Sequence, residues 1–181
     1  MEMVKISQNH GGFVCFAKEI RTIFEEDLHE MTKILALDCI QDIGNIGAII
    51  RTAAAFGVQA VIYTNDKMPN IAANPVVCKA SSGGVELVKL CPVVNLARTL
   101  ENLKKQGFWV FGADMNGTNA TQIAQKYKND RKVIVLGNEE TGMRQGVKTI
   151  CDEITSIPIT PEIESLNVSV AGGVLMYALF G

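Results

Sequence analysis

The sequence predicts an α/β domain: a mostly parallel sheet with helices on both faces. Two observations carry this. From Ile34 onward, short β-type runs alternate with amphipathic or small-residue helical stretches, the order that parallel strands joined by crossover helices require. The chain also has 181 residues, 48% of them hydrophobic and 20% charged, which suits one well-buried domain. Strands are expected near 34–38, 60–64, 85–90, 109–113, 133–137 and 154–158, and helices over 47–56, 75–81, 93–106, 121–128, 143–149 and 167–180. The helix at 93–106 is the clearest, because Leu96, Leu100 and Leu103 recur at i, i+4, i+7 while Arg98, Glu101, Lys104 and Lys105 take the other faces.

Residues 1–33 do not join this alternation. Gly11-Gly12 sits among polar residues, and Glu25-Glu26-Asp27 precedes a short helical turn. The division expected is a lead-in over 1–33 and a domain over 34–181. The lead-in is net acidic and the formal charge of the whole chain is -2, so no global basic field marks a nucleic-acid binder, and any such contact must be local. The 5 cysteines are scattered without C-x-x-C spacing, which suggests neither a disulfide framework nor a zinc site, and the chain reads as that of a protein of a reducing compartment, the cytoplasm. No apolar run reaches the roughly 18 residues needed to cross a bilayer, so no membrane partner is expected.

In open α/β sheets ligands lie beyond the carboxyl ends of the strands, which directs attention to the loops after Asp38, Ala113, Gly137 and Pro158. Three segments there are unusual. The first starts at Asp42 and holds Gly44, Asn45, Gly47 and Arg51: the glycines allow a close backbone approach, free amides at a helix start suit an anionic oxygen, and Arg51 projects from the early helix. On its own such an arginine is more often solvated or ion-paired. The second runs from Val133 through Gly137, Asn138 and Glu139 to Arg144; a buried strand passes straight into a polar turn that either meets a ligand or caps the next helix. The third breaks a strand at Pro158 and Pro161, crosses Ser165-Leu166-Asn167, and enters a terminal helix with no charged residue. Ser165 or Asn167 could cap that helix. A helix apolar nearly all round is buried on two sides, and since one monomer covers one face, the other is expected to meet a second copy of the chain. None of the segments gathers His, Cys and carboxylates as a metal site does. A Gly-x-Gly-x-x-Gly turn is also missing after every strand, which argues against a nucleotide-dependent oxidoreductase.

Taken together, the segments resemble the three motifs of the SpoU (TrmH-like) branch of the SPOUT methyltransferases: Asn-x-Gly-x-x-x-Arg, then Gly-Asn-Glu, then Ile-Pro-Ile followed by Ser165-Leu-Asn-Val-Ser-Val-Ala171. All three occur in order, and the resemblance covers roughly 34–181. The chain departs from the family at Ile43, where proline is frequent, and at Glu140 and Pro161, where glycine is frequent; none of these is a candidate catalytic side chain. The stretch at 10–17 is similar to what precedes the catalytic domain in relatives that carry a separate RNA-binding domain. The resemblance implies an α/β knot fold with a C-terminal trefoil knot and a homodimer with the site at its interface. It also implies S-adenosylmethionine as cofactor, contacted at Gly137, Ile157 and Leu166, without metal. The reaction implied is transfer of methyl to a ribose 2′-hydroxyl of RNA, ribosomal or transfer. Arg51 is then the residue that stabilises the developing alkoxide or an adjacent phosphate, because a guanidinium stays protonated and is a poor base. Asn45, Glu139, Ser165 and Asn167 hold Arg51, the ribose and the loop backbone in register. A non-catalytic RNA-binding homologue is the alternative, and Arg51 together with the complete Ser-Leu-Asn segment argues against it.

Overall fold

Apolar residues that alternate along parallel strands must be covered from both sides, and here they are. The computed structural model describes residues 20 and 22–181. In chain order its elements are β1 (Lys33–Leu37), α1 (Ile43–Ala55), β2 (Ala60–Tyr63), α2 (Pro75–Ala80), β3 (Lys89–Pro92), α3 (Leu96–Lys105), β4 (Phe108–Asn119), α4 (Ala120–Lys126), β5 (Arg131–Leu136), α5 (Gln145–Lys148), β6 (Glu153–Ser156) and α6 (Val168–Phe180), with 3₁₀ turns at Glu25–Glu30 and Gly84–Glu86. The strands form one 6-stranded sheet in the order β3-β2-β1-β5-β4-β6, with every pairing parallel. Leu35, Leu37, Val61, Tyr63, Ile134 and Leu136 point to a core shared with α1, α2, α4 and α6. Their strand neighbours Ile34, Ala36, Ile62, Val133 and Val135 point to a second core with α3, α5 and the Glu25–Glu30 turn. This period-2 division gives a three-layer sandwich.

The strand order reverses between β1 and β5: the chain first builds outward through β2 and β3, then crosses to the other half and returns. The crevice at such a reversal, beyond the strand ends, is where an open parallel sheet binds its ligand.

Strand β4 runs six residues beyond the expected 113, and α1 and β3 differ from expectation each for a local reason. Helix α1 starts at Ile43 rather than near Gly47, because the Asp42 side chain accepts a hydrogen bond from Asn45 N at 2.6 Å and caps the helix. The helix start is thus filled by the chain's own carboxylate and is not free for an anion. Gly47 also serves packing rather than ligand approach, since a Cβ there would lie 2.3 Å from Ala80 Cβ on α2. The strand expected at 85–90 begins only at Lys89; Val85 and Val88 are both buried three residues apart, the spacing of a turn, and the 3₁₀ turn takes the first of them.

Helix α3 buries Leu96, Leu100 and Leu103 as its periodicity requires. Of the lead-in, Thr22 bridges to Leu90 and Leu28 and Met31 are buried in the second core; Gly11-Gly12 and the 10–17 stretch lie outside the described residues. Helix α6 buries Gly172, Leu175, Met176, Leu179 and Phe180 and leaves Val170, Val174 and Tyr177 exposed by 52%, 41% and 69%. Those three recur at i, i+4, i+7 and make one apolar stripe facing away from the core. No helix among the described residues is long and apolar enough to cross a membrane.

Candidate active site

The loops leaving β4, β5 and β6, together with the start of α6, enclose a cleft of about 730 Å³. That is within the range of cofactor-sized pockets. Gly137, Ile157 and Leu166, the expected cofactor contacts, all line it, and so do Glu139, Ser165 and Asn167.

The β5 loop is shaped by its own hydrogen bonds. Asn138 and Gly142 exchange both backbone bonds at 3.0 Å, and the Asn138 side-chain oxygen accepts from Glu140 N and Thr141 N. A Cβ at Gly137 would sit 2.4 Å from Gly142 C, so the loop can fold back only over a glycine. Glu140, which stands where relatives often have glycine, is exposed at the rim of the cleft.

From outside, β1 anchors the same loop. The Asn138 amide donates to the Cys39 carbonyl at 2.9 Å. Asp38, fully buried at the end of β1, accepts from Arg144 N and Arg144 Nε, both at 2.7 Å. A buried carboxylate needs such partners, and here a backbone amide and a charged guanidinium supply one bond each.

A second network joins the first and third motifs to this loop. Asn45 Nδ2 donates to Glu139 Oε1 at 3.1 Å, and Asn167 Nδ2 donates to Asn45 Oδ1 at 3.1 Å. Asn167 also caps α6, its Oδ1 accepting from Ser169 N at 2.9 Å. Asn167 is therefore the cap, and Ser165 is not. Because a carboxylate can only accept, the amide orientations along this relay are fixed by Glu139.

Arg51 stands apart from the relay. It lies more than two turns into α1, is exposed, and donates from Nη1 to Ser82 Oγ at 3.1 Å. Of the five residues expected to form the catalytic group, the structure gathers Glu139, Ser165 and Asn167 in the cleft, holds Asn45 at its lip through Glu139 and Asn167, and directs Arg51 to the α1–α2 surface.

The cleft is electrically one-sided. Asp114, Glu139, Glu140 and Glu164 line it, and no lysine or arginine does. Asp114 is held below the usual carboxylate range mainly by a hydrogen bond from Lys148 at 2.6 Å, which approaches from outside the lining. A cleft with ionised carboxylates on its walls favours a cation. Among the described residues no group of three or more His, Cys, Asp or Glu side chains is placed to hold a metal.

Sequence reasoning gave no role to Asp38, Asp114, Arg144 and Thr155. The first could have been found, since an aspartate closing a fully apolar strand implies a buried partner. Asp114 opens the loop after Ala113 that the strand ends had already marked, whereas Thr155 had no signal, because only strand pairing brings β4 and β6 side by side.

Comparison with known proteins agrees with this geometry. The SpoU rRNA Methylase family profile matches residues 32–177. The chain is 38% identical over 175 residues to the 23S rRNA (guanosine-2'-O-)-methyltransferase RlmB of Xylella fastidiosa (strain 9a5c), covering 93% of this chain and 69% of that protein. It is 42% identical over 151 residues to RlmB of Neisseria meningitidis serogroup B, covering 83% of this chain and 59% of that protein. Among solved structures, the AdoMet-bound rRNA methyltransferase from Sinorhizobium meliloti superposes with a TM-score of 0.78 at 25% identity, over 88% of this chain and 60% of that one. The relatives are thus longer than the part this chain matches. With its second and third motifs lining one cleft of a six-stranded parallel sheet and the first joined to them through Asn45, the chain belongs to the SpoU rRNA methylase family.

Proposed function

We propose that the chain transfers a methyl group from S-adenosylmethionine to a ribose 2′-hydroxyl of ribosomal RNA in the cytoplasm, acting as a homodimer. The observation that carries this reading is the cleft itself: the second and third motifs line it, the first is joined to its lip through Asn45, and its walls bear carboxylates and no cationic side chain. The relatives' names supply the substrate class, 23S rRNA guanosine ribose, and the Sinorhizobium meliloti protein is one that binds the donor.

The residues fit that donor. It carries a sulfonium and an ammonium, which the Asp114, Glu139, Glu140 and Glu164 carboxylates attract, and its apolar parts find Leu136, Ile157 and Leu166. When bound, the donor supplies an electrophilic methyl carbon. The protein's part is to hold the acceptor hydroxyl in line, exclude water, and stabilise the negative charge that grows on the ribose oxygen. The Asn167–Asn45–Glu139 relay fixes the lip of the cleft. Arg51 provides the positive field, working from the RNA side rather than from within the donor's cleft.

The dimer explains why Arg51 faces away. Helix α1 packs on α6, with the Phe56 and Tyr177 rings 6.0 Å apart, so Arg51 lies on the helix bordering the exposed Val170, Val174 and Tyr177 stripe. A second copy docked on that stripe brings an Arg51 toward a cleft that one chain leaves without a cation. The deep C-terminal knot of the family belongs to the same reading.

Labelled methyl from S-adenosylmethionine should appear on a single ribose of ribosomal RNA from cells lacking the gene, and on none from cells that have it. Donor binding should survive EDTA, because the cleft offers backbone groups and carboxylates without a gathered metal-ligand set. Transfer to transfer RNA alone would reject the substrate class.

A further inference from the structure

Buried polar atoms are nearly always paired, because an unpartnered hydroxyl costs about 1–3 kcal/mol relative to one in water. Among the described residues two buried side-chain atoms lack a partner, Thr64 Oγ1 and Thr155 Oγ1. Only Thr155 lines the cleft, and it is 1% exposed. Asp114, Glu139 and Asn167 there are already engaged: Asp114 accepts from Asn116 N and Lys148, Glu139 from Asn45 and Asn138, and Asn167 from its own helix, while the side chains of Glu140, Glu164 and Ser165 are exposed to solvent.

The fold leaves this hydroxyl free by design of its strand pairing. Strand β4 departs from β6 after Ala113 and rejoins it at Thr118, and both of those residues are register partners of Thr155. The intervening 114–117 excursion opens the sheet at this one residue, so the cleft floor there carries a donor and acceptor at its base.

We propose that Thr155 Oγ1 reads the polar edge of the adenine of the methyl donor, an inference that rests on the donor assigned above. The surroundings select the base over the ribose. Ala113, its register partner, and Leu136, Ile157 and Leu175 of the same cleft offer apolar walls, which suit a flat ring that is polar only along its edge. A ribose, with two hydroxyls and a ring oxygen, would leave most of its polar atoms unpaired against one threonine. A hydroxyl, in contrast, can donate to a ring nitrogen and accept from the exocyclic amine in turn.

The test uses the whole chain and two unreactive probes, S-adenosylhomocysteine and S-inosylhomocysteine, whose bases differ only in that edge. Calorimetry should show Thr155→Val weakening the adenine probe by about three- to tenfold, the effect of one neutral hydrogen bond, while Thr155→Ser stays near wild type. The wild-type preference for adenine over hypoxanthine should shrink in Thr155→Val. Without ligand, Thr155→Val should melt no lower than wild type, because it removes an unpaired buried hydroxyl; a merely structural threonine would lose stability and binding together. Thr64→Val is the control and should leave binding unchanged. Wild type failing to bind S-adenosylhomocysteine would reject the donor itself. Wild type binding with Thr155→Val equally tight, or with both probes weakened alike, would overturn only the role of Thr155.

Discussion

Arg51 and Asn45 share helix α1 yet serve different surfaces, because six residues along a helix turn a side chain by about 240°. Asn45 therefore meets Glu139 and Asn167 at the cleft while Arg51 meets Ser82. The two should separate on mutation. Arg51→Ala is expected to lower single-turnover methyl transfer by about a hundredfold or more while leaving the donor isotherm nearly unchanged, the scale seen when one oriented donor is removed from an anion-stabilising site. Lysine should restore little, since a point charge does not reproduce the guanidinium fork. Loss of donor binding in Arg51→Ala would put the arginine in the wrong pocket. Asn45→Asp replaces an amide that donates to Glu139 with a second carboxylate 3.1 Å from the first. Donor affinity should fall in that variant, and Asn45→Gln should not mimic it, if the repulsion rather than the altered length is the cause.

At the scale of elements, the end of β1 sets the shape of the β5 loop. Asp38 is fully buried while the Arg144 side chain is 42% exposed, so the pair is half-desolvated. Asp38→Ala strips Arg144 N and Nε of their acceptor, and urea unfolding should show a loss of about 2–3 kcal/mol, below the 3–5 typical when one partner of a fully buried pair is removed. Donor binding should weaken as well, because the same loop lines the cleft. Unchanged binding would mean that the loop keeps its shape without the anchor. Strands β4 and β6 carry an acid-sensitive pair of contacts. Asp114 is depressed chiefly by its bond from Lys148, and Glu153 chiefly by its bond from Lys126. A carboxylate whose folded value lies below its unfolded one stabilises the fold above the unfolded value and loses that contribution as pH falls through the folded one. Melting temperature should hold down to about pH 5 and drop once pH passes below the ordinary carboxylate range near 4. Lys148→Met should make that drop shallower, and an unaltered pH profile would show that the contact adds nothing.

For the molecule as a whole, the apolar stripe of α6 decides whether one chain or two makes a working site. Val174 and Tyr177 are exposed on a helix without a charge. Val174→Asp with Tyr177→Asp should give monomers by light scattering at micromolar concentration, with transfer lost and the fold retained by circular dichroism. A wild-type protein that is itself monomeric under those conditions would remove the composite site and leave the position of Arg51 unexplained.

The sequence by itself determined the layers and the three motifs. Strand and helix follow from periodicity, a local property, so β1, β2, β5, α2, α3 and α6 lie close to where the apolar pattern puts them. Local chemistry also marked Asn45, Gly137, Glu139, Ile157, Ser165, Leu166 and Asn167, which the structure brings to one cleft or its lip. What only the tertiary structure decided is everything that depends on residues distant in the chain becoming neighbours. The reversal of strand order between β1 and β5, the 106-residue reach of Arg144 to Asp38, and the opening of β4 opposite Thr155 arise from strand pairing, which periodicity does not encode. The same cause explains the glycines: Gly47 looked like room for a ligand in the sequence and proved to be room for Ala80 of α2, because a residue without a side chain says only that something comes close.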